Sequence, residues 1–177
     1  GELLWNKDKW FDDVYNFHEG FAWVKYKGKW NYINTNGKLL WEEDKNFDKV
    51  CKFSGGFAGV KIEGRGWNYI NTKGELLWEG DEWFDYVDNF YNGFARVKLD
   101  SKYNFINKQG EYLWKGYQWF DGIGYFSNGL AIVYKEGKWN YINPQGELLW
   151  KESEWFNGIG NFHDGFAKVY KKGKWNY

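Results

Sequence analysis

One phrase recurs along this chain, and its recurrence limits the possible folds more than any other property of the sequence. GKWNYINTNGKLLW (residues 28–41) returns as GWNYINTKGELLW (66–78), KYNFINKQGEYLW (102–114) and GKWNYINPQGELLW (137–150). Its two halves stand at the ends of the chain, as GELLW (1–5) and GKWNY (173–177). The closing tryptophan falls at Trp5, Trp41, Trp78, Trp114 and Trp150, in steps of 36, 37, 36 and 36. A second marker keeps the same steps: Gly20, Gly56, Gly93, Gly129 and Gly165, each before an FA or LA pair. The extra residue belongs to the second unit, in GRGW (64–67). A fixed period of this length marks a repeat architecture, in which a unit buries its apolar surface only against its neighbours.

The period divides a single domain, 1–177, into five units at 1–36, 37–73, 74–109, 110–145 and 146–177. The 3.6-residue spacing of an amphipathic helix is absent, so the class is all-β, with four short strands in each unit. GKLLW predicts a strand over 38–43, FDKV and its copies a second and more irregular one, FAWVKY a third over 21–26, and KWNYIN a fourth over 29–34. The loops HEG, SGG, YNG, SNG and HDG, like TNG at 35–37, read as three-residue hairpin connections that end in a left-handed glycine. In strand 29–34, Trp30 and Tyr32 share one face while Ile33 takes the other, so both faces are apolar. Sheets of that kind sit between neighbours, as propeller blades do.

Composition narrows the function. Aromatic residues make up 24% of the chain, as 14 Trp, 14 Tyr and 15 Phe, so the core is built from rings that also carry polar edges. Lys plus Arg and Asp plus Glu balance at 24 each, which leaves no electrostatic footprint for nucleic acid or an anionic membrane. Only Arg65 and Arg96 are arginines, a poor basis for bidentate phosphate recognition. Cys51 stands alone and forms no internal disulfide. No apolar run approaches the ~20 residues of a membrane span, and no signal peptide is visible. Localisation and oligomeric state stay open, and no cofactor is called for.

The half-phrases at the two ends predict a ring. GKWNY at the C-terminus would pair with GELLW at the N-terminus inside one composite sheet, closing a five-bladed β-propeller. The alternative is an open β-repeat superhelix, whose ends would need capping. The KW pair, the F-x-x-G-F/L-A-x-V segment and the GELLW that follows resemble the bacterial tryptophan–glycine (WG or KWG) repeat family over the whole chain. That resemblance implies a repeat architecture, often in surface or secreted settings, and does not settle an activity. One departure stands out: the family places glycine after the tryptophan, where this chain has Asn31, Asn68, Asn104, Asn140 and Asn176. If that glycine serves close backbone approach, asparagine must do so by another route, such as its side-chain amide.

Two repeated positions are candidates for binding. Trp10, Trp83, Trp119 and Trp155 precede the FD pair, with Asn46 in the second unit, and indole faces there could stack on sugar rings. Asp12, Asp48, Asp85 and Asp121 follow the phenylalanine, with Asn157 in the fifth unit. They could bind hydroxyls or a cation, or instead fasten local turns by accepting backbone N–H bonds. The same tryptophans could equally seal the seams between units. Glycoside hydrolysis needs two carboxyls with their pKa values pushed apart, which near-identical repeats supply poorly. His18 and His163 share a position in units one and five, but no third ligand at a metal-site spacing accompanies them. Four serines and two histidines form no nucleophile motif. The sequence therefore points to a non-catalytic binding or adhesion module, with weak repeated sites for a glycan gaining avidity together. The alternative is a structural or protein-interaction scaffold using loops 6–9, 42–45, 79–82, 115–118 and 151–154, with a glycoside hydrolase a distant third.

Overall fold

The computed structural model describes residues 4, 10–41, 46–78, 83–116, 118–151 and 153–177. Loops 6–9, 42–45 and 79–82 lie outside them, as do residues 117 and 152 of the other two loops. The described residues form strands and turns with no helix, and so none long and apolar enough to cross a membrane. In the first unit the strands are β1 (Asp13–Val14), β2 (Phe21–Tyr26) and β3 (Lys29–Asn34); in the second, β4 (Lys49–Val50), β5 (Phe57–Ile62) and β6 (Gly66–Asn71). The third has β7 (Tyr86–Val87), β8 (Phe94–Leu99) and β9 (Lys102–Asn107), and the fourth β10 (Gly122–Ile123), β11 (Ala131–Lys135) and β12 (Lys138–Ile142). The fifth has β13 (Gly158–Ile159), β14 (Val169–Lys171) and β15 (Lys174–Asn176). Each unit is one antiparallel three-stranded sheet, with its strands in chain order.

The strands over 21–26 and 29–34 stand where the sequence places them, and the FDKV segment is a strand of only two residues. The fourth strand expected at 38–43 is not formed among the described residues. Leu39 makes one isolated bridge to Ile33, repeated as Leu76 with Ile70, Tyr112 with Ile106 and Leu148 with Ile142. The ladder stops because the next residue pair is replaced by a side chain. Trp41 donates its N–H to Asn31 Oδ1 (3.3 Å), and its carbonyl accepts from Asn31 Nδ2 (3.1 Å). Beyond the loop, Phe47 returns to the same edge and exchanges both backbone bonds with Trp30 (2.8 and 2.9 Å). Asp48 N–H then bonds the carbonyl of Lys61 (2.9 Å), so the FD pair carries the chain from one sheet to the next.

The HEG-type loops are shorter than expected. His18 and Phe21 exchange backbone bonds (2.8 and 3.1 Å), leaving Glu19 and Gly20 as a two-residue turn with φ of 50° and 84°. Two consecutive positive φ values are the signature of a type I′ turn, whose twist suits a tight hairpin. The β2–β3 turn has the same form at Lys27 and Gly28, with φ of 50° and 77°. The third unit departs from it, since Asp100 and Ser101 hold φ of 48° and 65° without a glycine, a conformation that costs an L residue about 1–2 kcal/mol. TNG at 35–37 does end in left-handed Gly37 (φ 74°). A Cβ there would also come within 2.1 Å of the carbonyl oxygen of Leu4, so glycine answers both the turn and the approach of neighbouring backbone.

The core lies in the seams between successive sheets. Phe53 of the second unit stacks on Phe21 (4.6 Å) and meets Tyr32 edge-on (5.0 Å), both from the first. Phe90 repeats this on Phe57 and Tyr69, and Phe126 on Phe94 and Phe105. Burying one such ring contributes about 1.5–3 kcal/mol. The Tyr32 hydroxyl donates across the seam to the carbonyl of Cys51 (2.8 Å). Burial pushes the Tyr32 and Tyr69 hydroxyls well above their ordinary pKa, so they remain donors. Burial also pushes the Cys51 thiol up, away from reactive thiolate.

The expected closure between GKWNY and GELLW falls largely outside the described residues, and none of it is formed within them. β15 has β14 as its sheet neighbour, and Trp175 and Tyr177 are 63% and 73% exposed. Their counterparts Trp30 and Tyr32 are covered by a following unit. Most of GELLW (1–3 and 5) lies outside the described residues, and Leu4 lies against Gly37, the first residue of the second unit. Among the described residues, β14 is the hydrogen-bonded neighbour of β15. The tandem of five sheets stands, and among the described residues no closed sheet is formed.

Candidate binding surface

The W-F-D tripeptide sits where the chain crosses between sheets, so its three side chains meet two units at once. The phenylalanine is core, with Phe47 and Phe120 fully buried and Phe84 nearly so. The aspartate faces the tip of the following β-hairpin. Asp12 accepts from Gly28 N–H (3.1 Å), Asp48 from Glu63 N–H (2.7 Å) and Asp121 from Glu136 N–H (2.7 Å). Asp48 and Asp121 also pair with Lys29 and Lys102, each from the preceding unit. Asp85 is exposed, and in place of a lysine the preceding unit offers Gly66.

These bonds set the charge state. The Lys29 side chain and then the Glu63 N–H hold Asp48 below the ordinary carboxylate range, and Lys102 and Glu136 do the same for Asp121. A carboxylate whose folded pKa is depressed stabilises the fold above its unfolded pKa, about 4, and loses that contribution as pH falls through the lower folded value. The urea midpoint is therefore expected to stay level from pH 7 to about 5 and to drop below about 4. Replacing Asp48 and Asp121 together by Asn should make that acid limb shallower; an unchanged limb would show that the two carboxylates do not contribute to it. Both pairs are solvent-accessible, so the effect is modest.

The tryptophans are not equivalent. Trp10 is 77% exposed and Trp83 is 5% exposed. The guanidinium of Arg65, the inserted residue of unit two, lies 4.5 Å over the Trp83 ring. Trp119 packs edge-on against Tyr112 (4.7 Å), and Trp155 lies 6.4 Å from Phe120. Asn46, which holds this position in unit two, accepts from Asn31 Nδ2 (3.3 Å), so an amide contact replaces a ring contact. Trp155 keeps an open side. With Trp114, Lys135, Glu136, Lys138 and Ser153 it lines a cleft of 230 Å³.

The asparagine after the tryptophan acts through its amide. Asn68, Asn104 and Asn140 repeat the Asn31 pattern, each gripping the N–H and carbonyl of the tryptophan ten residues on, at 2.7 to 3.3 Å. One cluster has no counterpart in the sequence reading. Arg96 Nε bonds Asp88 (2.6 Å), its guanidinium lies 3.7 Å over Tyr125, and Tyr86 donates to Asp88 (2.9 Å). The signal was faint, because the other units hold Tyr15, Cys51, Gly124 and Gly160 at the Asp88 position and Trp23, Gly59, Ile132 and Lys168 at the Arg96 position, so neither residue stands out against a pattern. Arg96 also donates to the carbonyl of Ile123 (3.1 Å), so the cluster latches the third unit to the fourth. His18 stacks near Trp23 (6.1 Å) in the first unit, while His163 bonds Phe166 through its backbone in the fifth. Among the described residues, no three His, Cys, Asp or Glu side chains gather as metal ligands.

Comparison with solved structures finds the computationally designed Ika4 protein, at 13% identity and a TM-score of 0.43, covering 81% of this chain and 98% of that one. It also finds BamB from Moraxella catarrhalis, at 12% identity and a TM-score of 0.44, covering 93% of this chain and 63% of that one. The extracellular domain of the putative one component system BT4673 from B. thetaiotaomicron matches at 12% identity and a TM-score of 0.42, covering 89% of this chain and 26% of that one. No curated protein matches the chain. The family described as WG containing repeat matches residues 11–30, 84–103, 120–139 and 156–175. The unmatched unit is the second, which carries the inserted residue. Each match runs from the phenylalanine of the FD or FN pair, through the first two strands of a sheet, to the tryptophan or tyrosine early in the third strand of that same sheet. With four of its five units matched in this way, the chain belongs to the WG containing repeat family.

Proposed function

We propose that this chain is a non-catalytic binding module on a repeat scaffold, with its ligand held where the units differ rather than at five equal sites. The cleft beside Trp155 is the observation that carries this reading. An open indole face, a second indole, two lysines, a carboxylate and a hydroxyl line 230 Å³. A flat apolar ring surrounded by donors and acceptors is the combination that takes a sugar ring, and that is the ligand class proposed. Asp12, Asp48 and Asp121 are not proposed as ligand contacts, because each already accepts a hairpin N–H. Hydrolysis is disfavoured on the same ground: a general acid needs a raised carboxyl pKa, and Asp48 and Asp121 are moved the other way.

The test is a tryptophan-fluorescence titration against a panel of oligosaccharides, comparing the native chain with Trp155→Ala. A saturable shift lost in the variant, with its thermal midpoint retained, supports the cleft. A flat response across the panel removes the glycan reading and leaves the scaffold alone. That second reading, a protein-interaction scaffold, is favoured by the burial of Trp83 beneath Arg65.

A further inference from the structure

The seam between the fourth and fifth units lacks a ring that the three earlier seams contain. Where the second, third and fourth units insert Phe53, Phe90 and Phe126, the inserted ring packs on Phe21, Phe57 and Phe94, with centroids 4.6, 5.0 and 5.0 Å apart. Where the fifth unit inserts Phe162, the receiving position is held by Leu130. Tyr141 still meets Phe162 edge-on (4.9 Å), so this seam keeps one of its two ring contacts. A cleft of 160 Å³ opens there, with Leu130, Tyr141 and Phe162 in its wall. We propose that this cleft is a binding site for a small phenol, one benzene ring carrying a hydroxyl.

Size and lining both point to a single aromatic ring. A cavity of about 150 Å³ with an aliphatic and aromatic wall holds one benzene molecule. Phe162 is half-buried, whereas Phe53, Phe90 and Phe126 are buried, so part of its surface lacks the cover that the other inserted rings receive. A ring set against it recovers the offset or edge-to-face contact made at the earlier seams. Gly124 stands where the first three units have Tyr15, Cys51 and Asp88, and it adds no side chain to the wall. Tyr125, which also lines the cleft, is held in place by the guanidinium of Arg96 over its ring (3.7 Å) and by its hydroxyl bond to Asp88 (3.3 Å).

The partner for the ligand's hydroxyl is Ser127. Its counterpart in the second unit, Ser54, donates across the seam to the carbonyl of Phe90 (2.8 Å). Ser127 lines the cleft, and among the described residues its hydroxyl makes no such bond. A sugar is a poorer occupant, since it carries hydroxyls around its whole ring and Leu130 and Phe162 offer them no partner. The site shares no lining residue with the cleft beside Trp155.

Saturation-transfer NMR of phenol with the full chain tests the site. The native chain is expected to give a saturable signal, and cyclohexanol, of similar size but without a π face, a weaker one. Leu130→Phe restores the residue that Phe21, Phe57, Phe94 and Phe166 supply in the other units, so it should raise the thermal midpoint and abolish the phenol signal. Phenol bound anywhere else would survive that change. Ser127→Ala should weaken phenol and leave benzene unchanged, and it decides the matter if the Leu130→Phe chain does not fold. Four results would overturn the proposal: no saturable signal from the native chain; equal binding of cyclohexanol; a folded Leu130→Phe chain that binds phenol as the native chain does; or a Ser127→Ala chain that binds phenol undiminished.

Discussion

Phe120→Ala should lower the stability of the chain by about 3–5 kcal/mol, the largest effect expected of any single truncation here. The ring is fully buried, and it lies 5.3 Å from Trp114 and 6.4 Å from Trp155. Its backbone is bonded in both directions to Tyr103 of the preceding unit (2.8 and 3.0 Å), so the cavity opens at a junction and not within one sheet. In a repeat array, stability is a sum of unit and nearest-neighbour terms, and a weakened junction uncouples the two sides. Urea denaturation followed by tryptophan fluorescence should therefore show a lower midpoint and a shallower or divided transition. A single transition of unchanged slope and midpoint would mean that the units do not lean on this ring.

Asn104→Ala is expected to cost about 2–4 kcal/mol, although it removes only a small polar group. Asn104 is buried and makes three bonds: it accepts from the N–H groups of Phe105 (2.8 Å) and Trp114 (3.1 Å), and donates to the carbonyl of Trp114 (3.0 Å). Alanine leaves both backbone groups of a buried tryptophan without a protein partner, and such orphaned groups carry their full desolvation cost. Asn104→Asp separates the terms, because a carboxylate keeps the acceptor and loses the donor to Trp114. Thermal unfolding of both variants checks the prediction, and equal midpoints for native and alanine chains would rule out the amide as the clasp of the sheet edge.

Much of the fold is legible in the sequence because a short period with apolar residues on both faces has few physical solutions. The strands at 21–26 and 29–34 and the left-handed glycine of TNG could be placed from side-chain alternation and turn chemistry alone. The GELLW segment misled for a specific reason. Its residues favour a strand, yet the partner it meets at Trp41 is the Asn31 side chain, and a long-range amide bond leaves no trace in local alternation. The two-residue I′ turns were missed similarly, since HEG and TNG look alike until the backbone bonds of His18 and Phe21 are seen. At the candidate site, the period could name Trp10, Trp83, Trp119 and Trp155 as one class. It could not show that Arg65 covers one of them, or that a cleft opens beside another.

By itself the sequence determined an all-β tandem of five like units, its period and the family, because repetition and apolar spacing are properties of the chain read in one dimension. Tertiary structure alone decided which groups are used up and which are left over. Asp48 and Asp121 are held by lysines 19 residues away, and Asn31 by a tryptophan 10 away, while Phe17, Phe166, Trp175 and Tyr177 are left in solvent. Whether a ring or a carboxylate has a partner depends on what the neighbouring sheet brings to it, and identical repeats differ in this only once they are stacked.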